Sequence, residues 1–448
     1  MVTIVNLRID RTMKKTIRTT QGVKALLTTV KIMIVVAIMP SILGCATPVT
    51  FYDSVGKEAT ENYIGNKEIH RIHIDAFGNI YPNNTSLSRF GKPLESHSLY
   101  DQFLINKDKC PSFTNAESES ITDHCLAVSS VTHSPYDDQG LPIDEWKQAQ
   151  ARLWKKYANE IHKVAEVSSD NRLVFLIHGF NNTFSQAESN FSKIENRLRS
   201  IDKSDNLIFV EIYWDGFEGP PLSGAWSKAQ ASGPLVGFSL RQLFRHLDDL
   251  YSIDDKHLPE TMFITHSSGV FVATSLLGNP YSALPELYNE DTKTSPGYEF
   301  FRDNRARNHP DYPIPKFSKV RLGMIAAATP SNSFTGAPKV DKGVDGGILT
   351  ENTELIFTLN YKDVALQKYL GLANWNALGS TSSGANSKLY CRYLKTVKGV
   401  NSKAFDFSDS GFLIWNSHSV EDYLARQNAD GFLAAILGGA TENQYLCN

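Results

Sequence analysis

The sequence predicts an α/β fold: a mainly parallel sheet flanked by helices on both faces, preceded by an N-terminal α+β extension. Three observations carry this expectation. Short apolar runs with no polar alternation recur after residue 169, as strands buried on both faces require. Stretches of helical spacing separate most of those runs. One run turns directly into a helix through a serine, at Ser267. Strand and helix in alternation are the pattern of a parallel sheet with crossover helices.

Taken in order, the elements begin weakly. Ile72, Ile74 and Ala76 alternate with His73 and Asp75 before Phe77-Gly78-Asn79, the pattern of a short half-buried strand entering a turn. His70 and His73 are three apart on that strand and project to opposite faces, so they read as solvated surface rather than as a metal pair. Residues 83–85 and 115–118 are polar and read as loops. Trp146, Ala149, Leu153, Ala158, Ile161 and Ala165 fall on helical spacing within 143–167 and predict a helix packed on the core. Strands are expected at 173–177, 207–210, 262–264, 322–328 and 355–357, with a possible last strand at 404–407. Helices are expected over 185–199, 226–250 and 270–277 and from near Val420. Two inserts interrupt the alternation: 280–316 is rich in charge, Pro and Tyr, and 330–349 is rich in Gly and Ser. Either is placed to lean over a site as a lid.

Composition narrows the function classes. The 448 residues carry a net charge of -3 and are 41% hydrophobic and 21% charged. No basic excess is available for a phosphate backbone, so nucleic acid is not an expected partner. Basic residues from Arg8 to Lys31 precede an uncharged run, 32–44, that ends in Ile42-Leu43-Gly44-Cys45. A membrane span needs about 20 apolar residues, more than this run supplies. The motif resembles a bacterial lipobox, which implies cleavage before Cys45 and a lipid on its thiol. Residues 1–44 are then a signal peptide, 45–169 the N-terminal extension and 170–448 the α/β domain. Met13, followed by Lys14-Lys15, is an alternative start. Ala46 in place of Asp implies, on the same resemblance, the outer membrane of a Gram-negative envelope.

Cys110, Cys125, Cys391 and Cys447 remain, an even number that in an exported chain favours disulfides. Of the three pairings, Cys110 with Cys125 and Cys391 with Cys447 is favoured because each bridge then stays within one structural region.

The chemistry concentrates at Thr265-His266-Ser267-Ser268-Gly269, which follows Met262-Phe263-Ile264 and opens an apolar helix. A strand-to-helix corner lifts a serine hydroxyl off the sheet while backbone N–H groups and the helix N-terminus face the anion formed there. Ser267 is the candidate nucleophile. Phe180, after the strand ending at Ile177 and the flexible Gly179, and Ser268 are the candidate oxyanion donors through their N–H groups. A serine needs a base and the base needs an orienting group. Asp363, past the run at 355–359, and His418, ahead of the helix near Val420, follow in the order Ser, acid, His. Asp406 and Asp409 are the alternatives for the acid. His178 and Asp215 read as structural. Nothing in this set calls for a cofactor or a metal.

From Leu173 to about Leu437 the chain resembles the α/β-hydrolase superfamily, and in detail a bacterial branch described as alpha/beta hydrolase of unknown function. The resemblance rests on Val174-Phe175-Leu176-Ile177-His178-Gly179-Phe180-Asn181-Asn182-Thr183-Phe184, Tyr213-Trp214-Asp215, Asp363-Val364-Ala365-Leu366 and Leu378-Gly379. Two positions depart from the branch: Thr265 stands in place of the elbow glycine, and Thr329-Pro330 in place of Pro-Asp. The resemblance and the triad order imply a lipid-anchored serine esterase acting on small-molecule or lipid esters. A peptidase or amidase on the same fold, and an inactive envelope scaffold, are the other expectations.

Overall fold

The structure is a computed structural model that describes residues 47–49, 69–82, 98–113, 119–129, 131, 143–218, 225–253, 258–278, 313–329, 334, 352–366, 377–380, 385–408, 418–439 and 446–447. Cys45, Asp409 and most of the two expected inserts lie outside the described residues.

In chain order the elements are β1 (Thr47–Val49), β2 (His70–Ile74), α1 (Leu99–Ile105), α2 (Glu119–Ser129), α3 (Asp144–Ala165), β3 (Arg172–Ile177), α4 (Phe184–Ile201), β4 (Leu207–Trp214) and β5 (Gly216–Glu218). There follow α5 (Ala225–Ile253), β6 (Thr261–His266), α6 (Gly269–Leu277), β7 (Val320–Ile325), β8 (Thr353–Leu359), α7 (Ala385–Lys398), β9 (Asn401–Asp406), α8 (Val420–Leu424) and α9 (Ala429–Ile436). Seven strands form one sheet in the order β2-β4-β3-β6-β7-β8-β9, and every pair in it is parallel. β1 and β5 form a separate antiparallel pair, Thr47 opposite Glu218 and Val49 opposite Gly216.

The period of two along a strand sorts its side chains into two layers. Leu173, Phe175 and Ile177 of β3 join Ile72, Leu153, Val236, Val270 and Leu394, so α3, α5, α6 and α7 cover one face. Val174 and Leu176 join Phe191, Met262, Tyr423 and Phe432, so α4, α8 and α9 cover the other. With helices on both faces, the apolar runs need no polar alternation. This is the α/β-hydrolase type of architecture that the motif order implies. Among the described residues no helix is long and apolar enough to cross a membrane.

The strand at 70–74 departs from the sequence reading. It is buried along its whole length rather than half-buried, and His70 and His73 are 6% and 2% exposed rather than solvated. The cause is its place in the sheet. β2 pairs in parallel with β4, and His73 stacks on Tyr213 with ring centroids 5.0 Å apart. Next to it, Arg71 binds Glu211 at 3.0 Å and Glu188 at 2.7 Å, pairing a charge that would otherwise forbid burial.

The boundary expected at residue 169 therefore does not divide the structure. β2 completes the main sheet, and Leu153, Trp154 and Ile161 of α3 sit in the same core as β3 and β4. A smaller separate core gathers Leu99, Tyr100, Phe103, Ile121, Val128 and Trp146 with Tyr81 and the Cys110–Cys125 bridge. Its link to the sheet is polar. Asp75, after β2, accepts from the backbone N–H groups of Phe77, Asn79 and Leu99 and from the Asn79 side chain. The side-chain amide of Gln150 pairs with both the N–H and the carbonyl of Ile80.

Both favoured disulfides are present: Cys110–Cys125, with Cα atoms 5.3 Å apart, and Cys391–Cys447, with Cα atoms 5.6 Å apart.

Candidate active site

β3 is where the strand order reverses. The chain leaves β3 for β4 on one side and returns to β6 on the other. At such a switch point the loops after the two strands separate and open a crevice at the carboxyl ends. Phe180 follows β3 and Ser267 follows β6, so both face this crevice by topology.

Ser267 occupies the strand-to-helix corner with φ 52°, a left-handed conformation unusual for a residue with a side chain. The turn is held by its N–H donating to Ile325 O at 2.9 Å. It also needs glycine on both sides of the contact. A Cβ on Gly269 would lie 2.5 Å from His178 O, and one on Gly179 would lie 2.8 Å from the Ser267 Cβ. The Ser-x-Gly spacing thus lets the elbow press against the end of β3. Thr265 is accommodated within the strand, buried, between Ile177 and Met324 in the ladder.

Ser267, Asp363 and His418 converge. His418 Nε2 lies 2.8 Å from Ser267 Oγ, and His418 Nδ1 lies 2.8 Å from Asp363 Oδ2. A carboxylate can only accept, so Nδ1 carries the proton and Nε2 is left bare toward the serine hydroxyl. Asp363 is completely buried, whereas the His418 side chain is 27% exposed and open to a reactant. The loop after β8 places the carboxyl: Asn360 N–H donates to Gly379 O, and Asp363 Oδ1 accepts from Ala365 N–H. Asp406, one alternative, instead accepts from Ser408 N–H.

Three contacts were not legible beforehand. Tyr423 donates its hydroxyl to Asp363 Oδ2 at 2.9 Å, sharing that oxygen with His418. Burial, and then the Asp363 charge, raise the phenol well above its usual range, which keeps it a donor. The signal lay in Ser419, which caps α8 by accepting from Asp422 N–H and so sets Tyr423 one turn below His418. His266, beside Ser267, lies with Nε2 2.8 Å from His418 O. Burial, and then the neighbouring His418, push it down to about 3, so it is neutral and donates that Nε2–H. Lastly, Phe180 N–H donates to the Ser268 side-chain hydroxyl at 2.7 Å. The two N–H groups expected to face the oxyanion are adjacent, and one of them is engaged by the side chain of the other's residue.

His178 and Asp215 have structural partners. His178 accepts from Trp214 N–H through Nε2 and donates to Gly179 O through Nδ1, and burial pushes it down to about 4. Asp215 accepts from Tyr81 at 2.5 Å. Phe180, Trp226 and Phe271 form an aromatic group beside the elbow, with Trp226 centroids 5.5 Å from Phe180 and 6.3 Å from Phe271. Among the described residues no group of His, Cys, Asp and Glu has the form of a metal site.

No family model matches the chain, and no curated protein matches it. Similar solved structures are esterases. The apo form of Thermogutta terrifontis esterase 2 is 11% identical with a TM-score of 0.30, over 60% of this chain and 85% of that one. The native Est2 structure from the same planctomycete is 12% identical with a TM-score of 0.30, over 61% and 84%. An acetyl xylan esterase is 10% identical with a TM-score of 0.24, over 59% and 98%.

Proposed function

We propose that this chain is a serine hydrolase acting on carboxylic esters through an acyl-enzyme, carried on the cell envelope by a lipid at Cys45. The observation that supports it best is the relay of two 2.8 Å contacts from Ser267 through His418 to buried Asp363. Ser267 Oγ attacks the ester carbonyl carbon as its proton passes to His418 Nε2. Asp363 holds Nδ1–H and stabilises the imidazolium so formed. The oxyanion takes the N–H groups of Ser268 and Phe180, the latter released as the Ser268 hydroxyl turns away. One such donor is worth about 3 kcal/mol to the transition state. Collapse breaks the ester C–O bond, and the leaving alcohol takes the proton from His418. Water then attacks the acyl-serine by the same route, returning the acid and the free enzyme. The aromatic group of Phe180, Trp226 and Phe271 favours esters with an apolar acyl or alcohol part.

A non-catalytic binding role is the second reading, favoured by the occupied Phe180 N–H. A panel of p-nitrophenyl esters of short and long acyl chains, with matching anilides, separates the possibilities. The proposal expects ester turnover that falls by about 10³ to 10⁶ in Ser267→Ala. Preferential anilide cleavage would reassign the chain as an amidase, and absence of all turnover in a folded protein would favour the binding role.

A further inference from the structure

The β1–β5 pair has no part in the sheet or the relay, yet it fixes where the chain enters the fold. β5 starts two residues after β4 ends, at the sheet's carboxyl edge, and packs on α5, whose first turn carries Trp226 beside Phe180. Thr47 pairs with Glu218, the far end of β5. Cys45 is two residues before Thr47, and two extended residues reach at most about 7 Å. A lipid on that thiol is therefore tethered at the edge of the molecule where the serine stands. A long linker would let the protein tumble beneath its anchor, but two residues do not.

We infer that the crevice mouth lies against the bilayer, so that the substrate is an ester drawn from the lipid phase, a membrane lipid or another bilayer-dissolved acyl ester. The inference rests on the lipid-anchored hydrolase reading above and gives it a substrate class. The edge has matching chemistry. Tyr361, in the loop after β8 and two residues before Asp363, is 46% exposed, and Lys362 lies with its ammonium 5.7 Å from the Tyr361 ring. An amphipathic ring next to a cation suits the headgroup layer. Val167, two residues past α3, and Ile253, the last residue of α5, are also exposed, but they precede β3 and β6 and so lie near the opposite, amino-terminal edge, away from the tether.

The test uses the full lipidated protein in vesicles of phosphatidylethanolamine and phosphatidylglycerol. Spin labels are placed singly by Tyr361→Cys and Val167→Cys, and their collision rates with oxygen and with a water-soluble nickel chelate are compared. The label at 361 is expected at headgroup depth or below and the label at 167 in water. Equal exposure of the two, or lipid contact at 167 alone, overturns the inference. A second variant inserts about 20 Gly and Ser residues after Ala46, a length that frees the orientation. Hydrolysis of a bilayer-dissolved long-chain ester is expected to fall about tenfold while hydrolysis of p-nitrophenyl acetate stays unchanged. A uniform change, or none, also overturns it. Failure of the underlying reading is visible separately: an unlipidated N-terminal peptide by mass spectrometry removes the anchor, and absent p-nitrophenyl acetate turnover removes the hydrolase.

Discussion

Replacing His418 with alanine is expected to lower kcat/KM for an activated ester by about 10⁴-fold or more while leaving the protein folded. The size follows from its position between the other two groups. Among the described residues His418 alone contacts both Ser267 and Asp363, so in the proposed mechanism its loss removes both the base that takes the serine proton and the acid that returns one to the leaving group. The fold is spared because the side chain is 27% exposed, so truncation opens a notch to solvent instead of an internal cavity. Tyr423→Phe provides a graded comparison. It removes one of the two donors on Asp363 Oδ2 and keeps the ring stacked on Phe407 at 5.4 Å. A loss of about tenfold or less is expected, since one hydrogen bond to a charged group is worth about 1.5–3 kcal/mol and only part of it changes between ground and transition states. Steady-state kinetics with thermal melts check both. A His418→Ala enzyme within tenfold of the wild type would remove the base assignment.

Acidification from pH 7 toward 4 is expected to place the cost of three buried neutral histidines on the folded state, a cost that two buried carboxyls offset in part: burial pushes Asp75 and Glu195 up to about 7, so the folded state gains stability as they protonate. His124, His178 and His266 are buried in the neutral form, and burial pushes them down to about 4, 4 and 3 from the ordinary 6.5. In each case the folded value lies below the unfolded one. The unfolded chain therefore binds protons first as the pH falls below 6.5, and stability present above 6.5 is progressively lost toward pH 4. Across that window each histidine costs on the order of 3 kcal/mol, while Asp75 and Glu195 each return a comparable amount, so the net loss is smaller than the histidines alone would give. For two of the three, hydrogen bonds also oppose charging in place. His178 and His124 each accept a donor on Nε2, from Trp214 N–H and the Gln150 amide, which a protonated ring would have to break. In the folded protein the ring resonances of His124, His178 and His266, followed by NMR, should not titrate between pH 7 and 5. Titration of any of the three near 6.5 would contradict its burial as a neutral group.

Much of the sheet was legible because strands covered on both faces announce themselves as apolar runs, and 173–177, 262–264 and 355–357 each lie inside an observed strand. β2 was misjudged because its signal is mixed. Arg71 and two histidines look solvated until Glu211 and Glu188 from β4 and α4 are brought alongside, and nothing local foretells those partners. α7 is harder to read from sequence because Leu389, 61% exposed, and Tyr393, 37% exposed, blur the edges of the buried stripe that Cys391 and Leu394 form. The convergence of residues 267, 363 and 418 could be expected from chain order, because a parallel sheet delivers every strand end to one edge. The roles of Tyr423, His266 and the Ser268 hydroxyl could not, since each depends on a loop closing onto another loop.

The claim on which the function stands is that Ser267 Oγ is made nucleophilic by His418. A fluorophosphonate probe followed by peptide mass spectrometry tests this most directly. The adduct is expected on Ser267 alone, at a rate that collapses in His418→Ala. Labelling of Ser268 or another serine, or labelling of Ser267 that is indifferent to the loss of His418, would contradict it.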